Sequence, residues 1–200
     1  MKHFRPAEHN GSVSPSAAAE ELQGSDEVLM ERLRDGDVRA FDALFERHAD
    51  SIHRFLSRRV GDPARAEDLT QETFLSVIRA RGRYLPGRSF RQWLYAIASN
   101  AARHDLRAHR REGARLQKLA EAPPAAAGGD GAGVDERAVR QALAQLPDAQ
   151  REVIVLHAYE GMTFAEVAEM LGTSGVAVRL RAHRGYRRLR KLLGHLEEER

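Results

Sequence analysis

TFAEVAEMLGTSGVAVRLRAHRGYRRLRKLL, Thr163 to Leu193, decides the fold. Thr163 is a residue that caps helices, and TFAEVAEMLGTS reads as a short amphipathic helix that ends at Gly172. The helix that follows carries seven basic residues from Arg179 to Lys191 (Arg179, Arg181, Arg184, Arg187, Arg188, Arg190, Lys191) and no acidic one. Val178, Ala182, Gly185 and Leu189 lie on one helical stripe and should face a core, while Arg179, His183, Arg184 and Arg187 fall mostly off it. A short helix, a glycine turn and a basic helix make a helix-turn-helix, whose second helix fits a DNA major groove. A solvated basic helix is the plainer alternative. A long basic run without a single acid, placed directly after such a turn, favours DNA.

Working outward, the helical block containing this motif spans about residues 135–196. Pro147-Asp148 separates a helix ending near Leu146 from one over Ala149–Tyr159, which Gly161 ends. Upstream, residues 113–134 change character: EAPPAAAGGDGAG can bury almost nothing and reads as a flexible linker. That linker predicts two bodies moving independently. Residues 25–112 are helical throughout. The spacing predicts a helix over Asp26–Asp35 with Ser25 as its cap, and a second over Val38–Val60. The apolar positions of the second, Phe41, Leu44, Phe45, Ile52, Phe55 and Leu56, are three, four and seven apart. A third helix begins at Pro63 and runs to about Arg81. The fourth starts near Ser89 and runs into Arg103–Arg111. Residues 1–24 mix Pro, Gly, Ser and Ala without a period and read as a disordered arm. No segment alternates like a strand. The expected fold is all-α, with two small helical domains on a flexible linker.

Composition narrows the function classes. The 200 residues carry a formal net charge of +3 with a pI near 9.6, and all but three of the 32 Lys and Arg are Arg. Arginine forks suit phosphate and guanine, although a GC-rich genome gives the same bias. There is no Cys, hence no disulfide framework and no thiolate site. No apolar stretch reaches the length of a membrane span, and MKHFRPAEHNGSVSPS lacks the apolar core of a signal peptide. A cytoplasmic protein is expected. The nine His, His48, His53, His104 and His109 among them, show no spacing of a helical metal site, so no metal or other cofactor is expected. Glu67, Asp68 and Glu72 share a helix without a nucleophile, glycine loop or base partner, and no catalytic constellation is visible.

Two further stretches carry chemistry. FRQWLYAIASNAARHDLRAHRR, Phe90–Arg111, begins aromatic and apolar and ends in Arg103, Arg107, Arg110 and Arg111. Apolar surface, cations and the polar Asn100 are what single-stranded DNA recognition uses. Trp93, Leu94 and Ile97 read as core. In AEDLTQETFLSVIRA, Ala66–Ala80, one stripe holds Leu69, Thr73, Val77 and Ala80, with Phe74 beside it. Asp68, Gln71, Glu72 and Ser76 are left outward.

In order and spacing these segments resemble the extracytoplasmic-function (ECF) group of bacterial RNA polymerase sigma factors. AEDLTQETF looks like the family's helix that binds the clamp helices of the largest polymerase subunit. WLYAIASN looks like its W-L-x-x-I-A-x-N promoter-melting signature, and LPDAQREVIVLHAYEGMTFAEVAEMLG like the start of its second DNA-binding domain. The resemblance covers Asp26 to Leu196. It implies a sigma factor that binds core RNA polymerase and directs promoter-specific initiation, with no chemistry of its own.

By the same resemblance Asp68, Gln71 and Glu72 match the polymerase-contacting face. Asn100 matches the residue that helps hold a flipped base of the −10 element, and Arg83–Arg91 the loop that builds its pocket. Arg103, Arg107, Arg110 and Arg111 match the −10 backbone contacts. Arg179, Leu180, His183 and Arg184 match the −35-reading positions. The group's members are commonly held by an anti-sigma factor, so such a partner is implied. Two departures stand out. His104, followed by Asp105, occupies a position where the family often has Asp or Asn. Ala177 and Leu180 replace Thr and Ser in the recognition helix, and a thymine methyl would suit Leu180. The rivals are a stand-alone helix-turn-helix regulator, which needs neither WLYAIASN nor AEDLTQETF, and a nucleic-acid hydrolase, which needs convergent acids for metal ions.

Overall fold

The computed structural model describes residues 24–117 and 134–198, which contain helices and turns and no strand. The first block has four helices. α1, Asp26–Arg34, is capped by the Ser25 hydroxyl, which accepts from the Val28 N–H. α2, Val38–Val60, starts at Asp37, whose carboxylate accepts from the Arg39 N–H. Arg32 donates to the same carboxylate at 2.6 Å, and this bond holds the Asp37 carboxyl below its ordinary pKa. α3, Pro63–Ala80, has Asp62 as its cap and proline in its first turn, where no N–H is lost from the ladder. α4, Phe90–Gln117, runs past residue 112 into the stretch read as linker. The rest of that stretch, 118–133, and the arm at 1–23 lie outside the described residues.

These helices bury one face each. Leu29, Met30 and Leu33 of α1 meet Leu44, Ile52, Phe55 and Leu56 of α2 in the core. Leu69, Phe74 and Val77 of α3 join them, with Phe90, Leu94, Tyr95 and Ala98 of α4. Each fully buried Leu or Phe is worth about 1.5–3 kcal/mol over exposure. One position departs from the expected stripe: Phe45 stays 40% exposed, with its ring 4.8 Å from that of Phe74.

The second block consists of α5, Val134–Ala144; α6, Asp148–Ile154; α7, Phe164–Met170; and α8, Gly175–Glu198. The helix expected over Ala149–Tyr159 widens at its end into a π turn, Val155–Tyr159. There the Glu160 N–H donates to the Val155 carbonyl, five residues back. Thr163 and Glu166 form a reciprocal capping box at the start of α7.

The two blocks are docked, against the expectation of independent bodies. α2 packs on α5, α6 and the π turn, and α4 packs on α7. One contiguous apolar cluster runs from Leu29 and Phe55 through Val155 and Met162 to Val178. A linker of small residues has nothing to dock with, but that says nothing about the helix faces on either side of it. Arg59, in the last turn of α2, is completely buried and donates to the Asp148 carbonyl (3.2 Å) and to Glu152 (3.3 Å). Arg151 in turn donates to the Arg59 carbonyl (2.7 Å) and to the carbonyls of Leu143, Ala144 and Leu146 at the end of α5. The carbonyls at a helix end lack onward partners, and here the guanidinium supplies them, sharing the Leu143 carbonyl with the Leu146 N–H. Burial draws the pKa of both arginines below the ordinary guanidinium value.

Candidate nucleic-acid interface

Three surfaces hold the residues singled out in the sequence. The first is the outer side of α8. Gly172, at φ 60°, makes the turn, and the Ser174 hydroxyl accepts from the Ala177 N–H to start the helix. Val178 and Ala182 are buried as the stripe requires. Gly185 lets α8 approach α6: a Cβ there would stand 2.5 Å from the tip of Ile154. Opposite this stripe Arg179, His183 and Arg184 are exposed, and Leu180 is 45% exposed. Arg184, Arg187, Arg188 and Lys191 line a shallow depression on the same helix. Among the described residues that line it none is acidic, so it suits an anion.

The second surface is built on α4 and the loop before it. The Tyr84 hydroxyl donates to the Arg88 carbonyl, and Gly87, at φ 77°, turns the chain between them. Tyr84 stacks edge-on against Trp93, with centroids 5.3 Å apart, and lies near Phe90. Burial, with Glu27, Glu31 and Asp26 nearby, lifts the Tyr84 phenol to about 12, so it stays a donor at any ordinary pH. The Ser89 hydroxyl accepts from the Gln92 N–H and starts α4. Trp93 is only half buried, while Leu94 is fully buried. The loop is thus pinned at both ends, with Leu85 65% exposed on its outside.

Asn100 is exposed a few turns on, and its Oδ1 accepts from Arg103 at 3.0 Å. Arg107, Arg110 and Arg111 are also exposed. Arg103 reaches Glu152 at 3.4 Å, and Arg110 pairs with Asp148, both on α6. His104 is exposed, whereas the neighbouring Asp105 is turned onto Arg65 of α3. Asp105 is thus held by that ion pair, away from the exposed position of His104.

The third surface is the outer side of α3. Ala66, Leu69, Thr73, Phe74 and Val77 are buried, and the hydroxyls of Thr70 and Thr73 donate to carbonyls one turn back at 2.7 Å. Asp68, Gln71 and Glu72 are exposed together. Leu75 shares their side and is 49% exposed. Its place one turn after Gln71 and Glu72 marks it in the sequence, but an apolar residue in an amphipathic helix is first read as core.

The chain has relatives among known proteins. Residues 44–112 match the model of Sigma-70 region 2, and residues 136–189 match that of Sigma-70, region 4. The chain is 50% identical over 171 residues to the RNA polymerase sigma factor CarQ of Myxococcus xanthus, covering 85% of this chain and 98% of CarQ. The chain belongs to the ECF group of the sigma-70 family. This sigma factor binds core RNA polymerase and directs promoter-specific transcription initiation. It is also 32% identical to the sigma-H factor of Pseudomonas aeruginosa, over 88% of this chain and 98% of that one. Among solved structures, CnrH in complex with the cytosolic domain of CnrY superposes with a TM-score of 0.66 and 30% identity, over 86% of this sigma factor and 99% of CnrH. The region 2 match over 44–112 removes the stand-alone regulator, which has no use for that block.

Proposed function

We propose that the three exposed rows divide the work of this sigma factor among them. On α3, Asp68, Gln71 and Glu72 bind the clamp helices of the largest polymerase subunit, with Leu75 as an apolar anchor between them. On α4, Asn100 and the loop 83–91 hold a base flipped out of the −10 element, and the pinned loop offsets part of the few kcal/mol that unstacking costs. Arg103, Arg107, Arg110 and Arg111 take the backbone of the same strand. On α8, Arg179, Leu180, His183 and Arg184 read −35 duplex in the major groove.

The observation that carries this reading is that Asp68, Gln71 and Glu72 on α3, Asn100, Arg107, Arg110 and Arg111 on α4, and Arg179, Leu180, His183 and Arg184 on α8 are exposed, while Leu69, Thr73 and Val77, then Leu94, Ala98 and Ala102, then Val178 and Ala182 are buried on the same helices. The side chains are presented, and none of the three rows is needed to hold its helix in place. Bond making belongs to the polymerase, and no step of it is assigned to a side chain of this chain. An anti-sigma factor is the proposed regulatory partner, as the group resemblance implies. The site of action is the cytoplasm, where polymerase and promoter are. Among the described residues no helix is long and apolar enough to cross a membrane.

Run-off transcription with purified core polymerase on a promoter library tests the whole assignment and reads the promoter at once. Promoter-specific transcripts are expected only when the sigma factor is present. Transcripts unaffected by alanine at Asn100 and Arg184 together would remove the assignment of both DNA surfaces.

A further inference from the structure

We infer that Glu27, on α1, is a positioning residue for −10 recognition: its carboxylate holds the loop 83–91 and the start of α4 in the shape that receives the flipped base. The inference rests on the reading of Asn100 and that loop as the −10 pocket. It extends the pocket's support to a helix that, in that reading, touches neither DNA nor polymerase. The match to region 2 begins at residue 44, and α1 lies ahead of it.

The first N–H groups of a helix have no acceptor within it. At the start of α4 the Gln92 N–H is met from close by, through the Ser89 hydroxyl. The Phe90 N–H is met from another helix: it donates to the Glu27 carboxylate at 3.1 Å. A negative charge at that end is also favoured by the helix dipole. The bond from the Tyr84 hydroxyl to the Arg88 carbonyl is internal to the loop, so it fixes the loop's shape and not its direction. Tyr84 and Phe90 are buried, but apolar burial is non-directional. The Glu27 bond supplies the direction. Both of its partners lie in the first domain, so the tie does not depend on where the second domain sits.

The first turn of α1 is itself braced. Asp26, beside Glu27, uses one carboxylate oxygen for Arg47 (3.0 Å) and the other for His48 (2.7 Å), both on α2. Arg47 also donates to the Gly24 carbonyl at 2.7 Å, just ahead of α1. The His48 ring lies 5.4 Å from that of Phe90, so α2 backs both partners of the Glu27 bond. At the other end of the loop, α1 packs on the short turn Arg81–Arg83 from which the loop departs. One braced helix turn therefore supports the loop at both ends. Unstacking a base costs a few kcal/mol, and a pocket already in shape spends none of its contacts on ordering itself.

Two measurements test this. The first is peptide-resolved amide exchange in the free protein, which does not depend on the −10 reading. Glu27→Ala should speed exchange across 84–92, while Glu27→Gln, whose amide oxygen still accepts from Phe90, should stay near the parent. The second uses the holoenzyme in abortive transcription on a pre-melted bubble. The bubble carries the −10 sequence recovered from the run-off selection, or the same sequence with each non-template base changed in turn. In Glu27→Ala the advantage of the preferred base should fall about tenfold, roughly what a hydrogen bond to a charged group is worth. Glu27→Gln should keep it. Affinity for −35 duplex and for core polymerase should not change in either variant.

Leu33→Ala, in the buried last turn of α1, is the control for a merely softened fold. It should lower the melting temperature and leave base discrimination intact. Glu27→Asp, too short to reach Phe90, replaces Glu27→Ala if that variant does not fold. Unchanged discrimination in Glu27→Ala, an equal loss in Leu33→Ala, or a Glu27→Gln protein as defective as Glu27→Ala overturns the inference. Asn100→Ala separates it from the reading beneath it. If Asn100→Ala lowers discrimination and Glu27→Ala does not, the pocket stands and the inference falls. If Asn100→Ala leaves discrimination unchanged, the pocket assignment falls and takes the inference with it.

Discussion

The carboxylate of Glu152 lies 3.3 Å from the Arg59 guanidinium, with side chains only 7% and 1% exposed, and this pair joins the two domains from the inside. Arg103 shares the same oxygen at 3.4 Å. The Arg59 Nε has no hydrogen-bond partner among the described residues, so the cation depends on Glu152 and the Asp148 carbonyl.

Removing Glu152 should therefore leave a buried cation without a counter-charge. Glu152→Ala is expected to lower stability by about 3–5 kcal/mol in chemical denaturation, whereas Arg59→Met with Glu152→Leu should recover most of that loss. A Glu152→Ala protein as stable as the parent would show that water reaches the pair in solution.

The capping box of α7 gives a pH signature. The Thr163 N–H donates to the Glu166 carboxylate at 2.7 Å, and this bond, with that from the Thr163 hydroxyl, holds the carboxyl below its ordinary pKa. The charged form is the one the fold favours. Its contribution is complete above the ordinary Glu pKa and is lost as pH falls through the lowered value. Glu166→Gln should be less stable than the parent at pH 7, and the gap between the two melting temperatures should close only as pH falls below the ordinary Glu pKa and through the lowered one. A constant gap across that range would contradict the charged cap. Thr163→Ala, which removes the other half of the box, should cost about 1 kcal/mol at pH 7.

Duplex reading and strand opening should separate by mutation. Arg184→Ala is expected to weaken binding to −35 duplex by about 1–3 kcal/mol, the usual worth of a bidentate base contact. Asn100→Ala should leave duplex binding intact and impair open-complex formation. Abortive transcription on duplex and pre-melted bubble templates distinguishes them: the bubble should partly rescue Asn100→Ala and not Arg184→Ala. Full activity of Asn100→Ala on duplex promoters would remove the −10 pocket assignment.

The α3 surface can be tested without disturbing the fold. Alanine at Asp68, Gln71 and Glu72 together should weaken association with core polymerase in a titration while helix content stays unchanged. Leu75→Ala should weaken it further. Each of these side chains is exposed, and such substitutions usually shift stability by no more than about 0.5 kcal/mol. Unaltered core affinity in the combined variant would count against this surface.

The sequence by itself determined the helices, the caps Ser25, Ser89 and Thr163, and which side of most helices is apolar; Asp37, Asp62 and Ser174 cap helices without having been read as caps. Ser25, Thr163 and Gly172 mark ends through local hydrogen bonds and local dihedrals, and Val178, Ala182 and Gly185 recur at the helical period. These are short-range facts written along the chain. It also set Asp68, Gln71, Glu72, Arg179, His183 and Arg184 off the apolar stripes, where they are exposed, and it passed over Leu75 because periodicity records polarity and not exposure. The tertiary structure alone decided what lies against each charge. Nothing local joins Arg59 to Glu152, Arg103 to α6, or Asp105 to Arg65 instead of to the surface His104 occupies. A charged side chain finds its partner through the packing of distant elements, and that packing follows from how whole helix faces fit together. The docking of the two domains belongs to the same level. A linker too poor in apolar side chains to pack leaves the faces it connects free to meet, and here those faces share one apolar cluster and exchange hydrogen bonds in both directions, Arg59 to Glu152 and Arg151 to the Arg59 carbonyl.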